Sequence, residues 1–138
     1  MYKRGILLLT LALPLLSAPG ITDKIRQQNL QVVQKAAEGL NETLPQQIDK
    51  YTRLIRLEPK GEKLIYVYEL NVTGKSDAEV AAEGKKRMRK PVTKGICTSS
   101  KRFLQSGIGI VYRYESAKSH KPLFTFDVTK KDCHYRGE

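Results

Sequence analysis

Two cysteines, two histidines and one long block of cations are the side chains in this 138-residue chain that could do chemistry. Cys97 and Cys133 are the only cysteines. In an exported chain an even pair is most simply a single disulfide, which would close a loop of about 35 residues and stabilise the fold by roughly 3–4 kcal/mol on the chain-entropy model. A redox pair or a metal site would need other spacing. There is no Cys-x-x-Cys, and the histidine nearest in sequence, His134, is the direct neighbour of Cys133, which is poor ligand geometry. No metal site and no cofactor are expected. His120 and His134 could work as an acid and base around a phosphate. However, His120 sits in a turn beside Lys121 and Pro122, His134 lies in the tail, and no feature brings them together. Neither a Gly-x-Ser-x-Gly elbow nor a Ser-x-x-Lys motif occurs, so no catalytic residue is assigned.

The most distinctive stretch is cationic. Lys85, Lys86, Arg87, Arg89, Lys90, Lys94, Lys101, Arg102 and Arg113 follow one another with no Asp or Glu between Glu83 and Glu115. Such a patch attracts a polyanion or an anionic surface with salt-sensitive affinity. Nucleic-acid readers usually interleave exposed aromatic rings, whereas the aromatic residues within this stretch, Phe103 and Tyr112, fall at core-like positions.

These side chains work in a compartment that the first twenty residues indicate. Lys3 and Arg4 precede an apolar run over residues 6–16, and small residues follow at Ser17, Ala18 and Gly20. This is the layout of a secretory signal peptide, and the run is too short to span a bilayer, which takes about twenty residues. The expectation is a leader over residues 1–20, a mature start at Ile21, no transmembrane span in the mature chain, and a periplasmic or secreted location. No cysteine lies near the junction to carry a lipid. Losing Lys3 and Arg4 with the leader takes the formal net charge from +11 to +9, still strongly basic for one small domain.

Residues 21–138 are expected to form a single domain. Apolar residues at spacings of three and four predict an amphipathic helix over residues 23–44, capped by Thr22 or Asp23 and stopped by Pro45. Strands are predicted over residues 52–57 and 63–72, joined by a turn at Glu58, Pro59, Lys60 and Gly61. Ser76 with Glu79 forms a capping-box pattern that opens a second helix, weakened by Gly84 and interrupted by Pro91. A third helix is predicted from Ser99 or Ser100 to Gly107, then strands over residues 108–114 and 123–128. The order α-β-β-α-α-β-β implies the α+β class, with a four-stranded antiparallel sheet and helices packed on one face.

Leu44-Pro45 with Asp49, Thr52, Arg53 and Leu54, then Tyr66-Val67-Tyr68-Glu69-Leu70, Cys97, Val111-Tyr112-Arg113-Tyr114 and Asp132-Cys133 make up a pattern. It resembles that of small uncharacterised bacterial periplasmic proteins. The resemblance implies an exported α+β domain with one disulfide and no catalytic residues. Pilotins and small periplasmic inhibitors or immunity proteins are similar in size and style, although this chain lacks the lipid-attachment cysteine common among pilotins. A non-enzymatic accessory protein that binds a protein partner in the cell envelope is therefore expected. The alternative is binding of an anionic polymer or lipid surface through residues 85–113.

Overall fold

A computed structural model describes residues 20–137. The leader expected over residues 1–20 lies outside them except for Gly20. Helix α1 (Ile21–Asn41) is followed by β1 (Gln46–Gln47), β2 (Thr52–Lys60) and β3 (Lys63–Leu70). Helices α2 (Asp77–Ser99) and α3 (Lys101–Gln105) lead into β4 (Gly109–Ser116) and β5 (Pro122–Val128), and a single 3-10 turn (Lys130–Asp132) comes last.

The expected four-stranded antiparallel sheet is instead five-stranded and mixed, in the order β1-β2-β3-β4-β5. β1 is two residues long, too short to leave a periodic pattern in the sequence. The pair β3/β4 is parallel, with Lys63 opposite Gly109 and Leu70 opposite Ser116, because α2 and α3 form a crossover that returns the chain to the same end of the sheet. The other pairs are antiparallel.

Helix α2 runs straight through Pro91, where the sequence predicted a break. A proline within a helix loses one backbone bond. Here Gly84, Met88, Val92 and Ile96 recur every four residues and turn one continuous face inward on both sides of it, so packing outweighs the lost bond. The predicted capping box is present. Ser76 Oγ accepts from the Glu79 amide at 3.2 Å, and Glu79 Oε2 accepts from the Ser76 amide at 2.7 Å. Helix α1 starts two residues before Asp23 and ends at Asn41, short of Leu44, since the residue before Pro45 is held out of helical geometry.

Strand β2 extends to Lys60, past the predicted turn, which shrinks to Gly61 and Glu62 with Gly61 at φ +56°. Its outer edge is closed in three ways. β1 pairs with Arg53 and Leu54. Further along, the Asn41 side chain takes the place of a strand: its Nδ2 donates to Leu57 O at 2.9 Å and its Oδ1 accepts from the Leu57 amide at 2.7 Å. Pro59, two residues on and facing the same way, has no N–H to leave open at that edge.

Both long helices cover one face of the sheet, α1 mainly over β2 and α2 mainly over β5. The core between them holds Val33, Ala37, Leu57, Leu64, Ile96, Leu104, Ile110, Phe124, Phe126 and Val128. The opposite face has a small cluster of its own, Ile65, Val67 and Val111 with Ile55, made only of strand residues. Cys97 at the end of α2 is bonded to Cys133 after the last turn, with Cα atoms 5.6 Å apart, and Tyr135 Oη donates to Cys97 O at 2.7 Å.

Candidate binding surfaces

Across the helix-side face runs a row of residues in register: Leu57, Tyr66, Tyr112 and Phe126. Leu57 lies on the strand beneath α1 and Phe126 on the strand beneath α2, and both are buried. Tyr66 and Tyr112, on the two strands between, are only partly buried. Their ring centroids are 5.1 Å apart, and Tyr112 lies 4.9 Å from Tyr68, which stacks on Tyr114 at 5.0 Å. Four tyrosines thus form a continuous aromatic row across β3 and β4, with Tyr68 and Tyr114 buried and Tyr66 and Tyr112 the partly open floor in the interval between the helices. Partial burial, with the Tyr112 hydroxyl nearby, raises the Tyr66 pKa from its usual 10.0 to about 12.

The walls of this groove are apolar on one side. Helix α1 buries Asn29, Val33 and Ala37 and leaves Ile25, Val32 and Leu40 exposed. The loop after β1 exposes Ile48 and Tyr51. Where that loop faces α2 it encloses a cavity of about 430 Å³, whose lining includes Tyr51, Leu70, Val80, Met88 and Arg87. The periodicity of α1 marked all its apolar positions as core. The stripe is wider than the surface beneath it, and periodicity alone does not tell which of its residues go uncovered.

The cationic block is divided by the fold. Lys85, Lys86, Arg87, Arg89, Lys90 and Lys94 are exposed on α2, and Lys101 and Arg102 are exposed on α3. None of these eight forms a salt bridge among the described residues. Lys101 Nζ lies 5.3 Å from the Tyr135 ring centroid. Arg113 does not join them. It alternates with Tyr112 and Tyr114 along β4 and so emerges on the opposite face of the sheet, where its Nη1 meets Glu58 Oε2 at 3.1 Å. Arg56 completes that network, with Nε 2.8 Å from Glu58 Oε1 and Nη2 3.0 Å from Glu115 Oε1. The two arginines flank Val67 in register, and Val67 is fully buried although only strand residues pack around it. The Arg56 guanidinium, hydrogen-bonded to Glu58, holds that carboxyl below its ordinary range.

The two histidines lie at opposite ends of β5, whose seven residues span roughly 20 Å. His120 occupies the β4–β5 turn at φ +60°, and His134 lines a cavity of about 790 Å³ between α2 and β5 together with Arg89 and Lys94. Among the described residues no group of three or more His, Cys, Asp or Glu side chains could hold a metal ion, and no helix is long and apolar enough to cross a membrane.

No known sequence family and no curated protein sequence matches the chain. Solved structures do share the fold. A Pseudomonas aeruginosa protein described as secreted superposes with a TM-score of 0.70 at 15% identity, covering 85% of this chain and 100% of that one. The pilotin of the Vibrio vulnificus type 2 secretion system gives 0.66 at 13% identity, covering 83% and 99%. A type II secretion system pilotin from Vibrio cholerae gives 0.62 at 15% identity, covering 83% and 100%.

Proposed function

We propose that this is an exported, non-enzymatic binding protein of the bacterial cell envelope, of the inhibitor, immunity or assembly-factor kind. In this reading it holds an apolar segment of a protein partner in the groove between α1 and α2. The observation that carries the reading is the half-open aromatic floor of Tyr66 and Tyr112 beside exposed Val32 and Leu40. Buried aromatic anchors beside aliphatic residues are what protein interfaces use for affinity. The fold shared with two type 2 secretion pilotins supports the assembly-factor variant, and the fold shared with a secreted protein supports export, as does the leader pattern of residues 1–20.

Site-specific photocrosslinking in intact cells tests it. A crosslinker at Val32 or Tyr66 should trap one defined envelope protein, while the same group at Arg53 on the far face should not. The substitution Leu40→Asp should abolish the adduct. Equal trapping from both faces, or turnover of an envelope substrate by the purified protein, would overturn the reading.

A further inference from the structure

We propose that the exposed face of α2 and α3 is a docking surface for the anionic phospholipid headgroups of a bilayer, so that the protein works at the membrane surface without crossing it. The inference takes from the reading above only its location in the envelope.

The charge on this molecule is sorted by face. On the open face of the sheet cations are neutralised: Arg53 pairs with Glu69, Arg56 and Arg113 share Glu58, Arg56 also meets Glu115, and Lys63 meets Asp127. On the helix side the eight cations of residues 85–102 have no carboxylate within salt-bridge distance among the described residues. The acids of α2 are confined to its first turns and already engaged there. Asp77 accepts from Ser119 Oγ at 2.5 Å, Glu79 closes the capping box, and Glu83 pairs with Lys75.

The arrangement within the helix adds to this. Lys86, Lys90 and Lys94 are four residues apart, so they form one line on the solvent side, spanning about 12 Å of helix length. Like charges at that spacing repel and weaken a helix, and Gly84, Pro91 and Gly95 weaken it further. Arg87 borders the cavity on one flank of this line, and Arg89, together with Lys90 and Lys94 of the line itself, borders the cavity toward β5. Cations spread along two turns of helix and continued by Lys101 and Arg102 on α3 suit many phosphates at once better than a single anion. Helix α1, on the same side of the sheet, adds the exposed side chain of Ile21, an apolar group that a bilayer interface accepts beside basic ones. Nucleic acid fits less well, because Phe103 and Tyr135 are partly buried and the exposed Tyr51, across a cavity from Arg87, is a single ring and not a row of stacking platforms.

Sedimentation of the purified protein with phosphatidylcholine vesicles containing 0, 15 or 30 mol% phosphatidylglycerol tests the proposal. Binding should rise with the phosphatidylglycerol fraction and fall as NaCl goes from 50 to 500 mM. With each basic group contributing about fivefold, the triple variant Lys86→Gln, Lys90→Gln, Lys94→Gln should bind about a hundredfold more weakly. Removing the same charge elsewhere, by Arg53→Gln, Lys60→Gln and Lys121→Gln, should have a much smaller effect. Far-UV circular dichroism checks that both triple variants fold. Binding that ignores lipid charge, equal loss in both variants, or affinity for single-stranded DNA with none for vesicles would each overturn the proposal. Leu40→Asp, which disables the groove, should bind vesicles like the parent protein, so the two readings fail separately. Loss of vesicle binding in that variant would move the surface off α2 and refute the assignment.

Discussion

Gly84 and Gly95 lie in the same helix, yet they do different work. A β-carbon at Gly84 would come within 2.6 Å of the Phe124 ring, whereas one at Gly95 would meet nothing within 4 Å. Close approach of α2 to β5 therefore depends on the missing side chain at position 84. Gly84→Ala should destabilise the protein by about 1–3 kcal/mol through overpacking, while Gly95→Ala should stabilise it by up to about 1 kcal/mol through helix propensity. Urea unfolding of the two variants measures both. From the sequence, Gly84 reads only as a helix-weakening residue, since nothing local shows that an aromatic ring forty residues away rests on it. Arg113 is the opposite case. Its neighbours Tyr112 and Tyr114 already show the strand alternation that sends it to the other face, yet a charge run counted along the chain merges it with α2.

At the scale of elements, the capping box, the amphipathic helix and the strands bearing Tyr66 and Tyr112 are all legible, because each is written in local spacing. What escapes local spacing is what long-range packing decides: the passage of α2 through Pro91, the two-residue β1, and the parallel pairing of β3 with β4. The uncovered sheet face is another such product. Its ion-pair lattice over Val67 replaces a covering helix and gives the fold an acid-sensitive element. Because Glu58 titrates below its ordinary value of 4.5 in the folded state, its stabilising contribution is complete above that pH and is lost as the pH falls through the lowered folded value. Glu58→Gln should therefore flatten the acid limb of a stability–pH profile below the ordinary value of 4.5, and thermal unfolding as the pH is lowered checks it. Side-chain exposure of a third or more at Glu58 and Arg56 keeps the effect modest and sensitive to salt.

The whole molecule is two-sided, with helices, groove and unpaired cations on one side and a neutralised sheet on the other. The disulfide belongs to the helix side, tying the end of α2 to the turn beyond β5. Replacing both cysteines by serine should lower stability by roughly 3–4 kcal/mol and leave the fold intact, since the two cysteines pack against the edge of the core and its fully buried residues come from both helices and all the long strands. Thermal unfolding with and without reductant measures the loss, and alkylation after purification should find no free thiol in the parent protein.

The parallel pair at the centre of the sheet also divides the chain's history. Residues 21–70 carry α1, β1 and the β2–β3 hairpin, and residues 77–133 carry α2, α3, the β4–β5 hairpin and both cysteines. Each half builds its hairpin from near neighbours in sequence, whereas pairing β3 with β4, like seating Phe124 on α2, closes a separation of about forty residues and carries the higher loop-closure cost. The tyrosine floor straddles that seam, with Tyr66 and Tyr68 from the first half and Tyr112 and Tyr114 from the second. A half-assembled chain thus lacks the floor, and the disulfide, with both cysteines in the second half, does not span the seam.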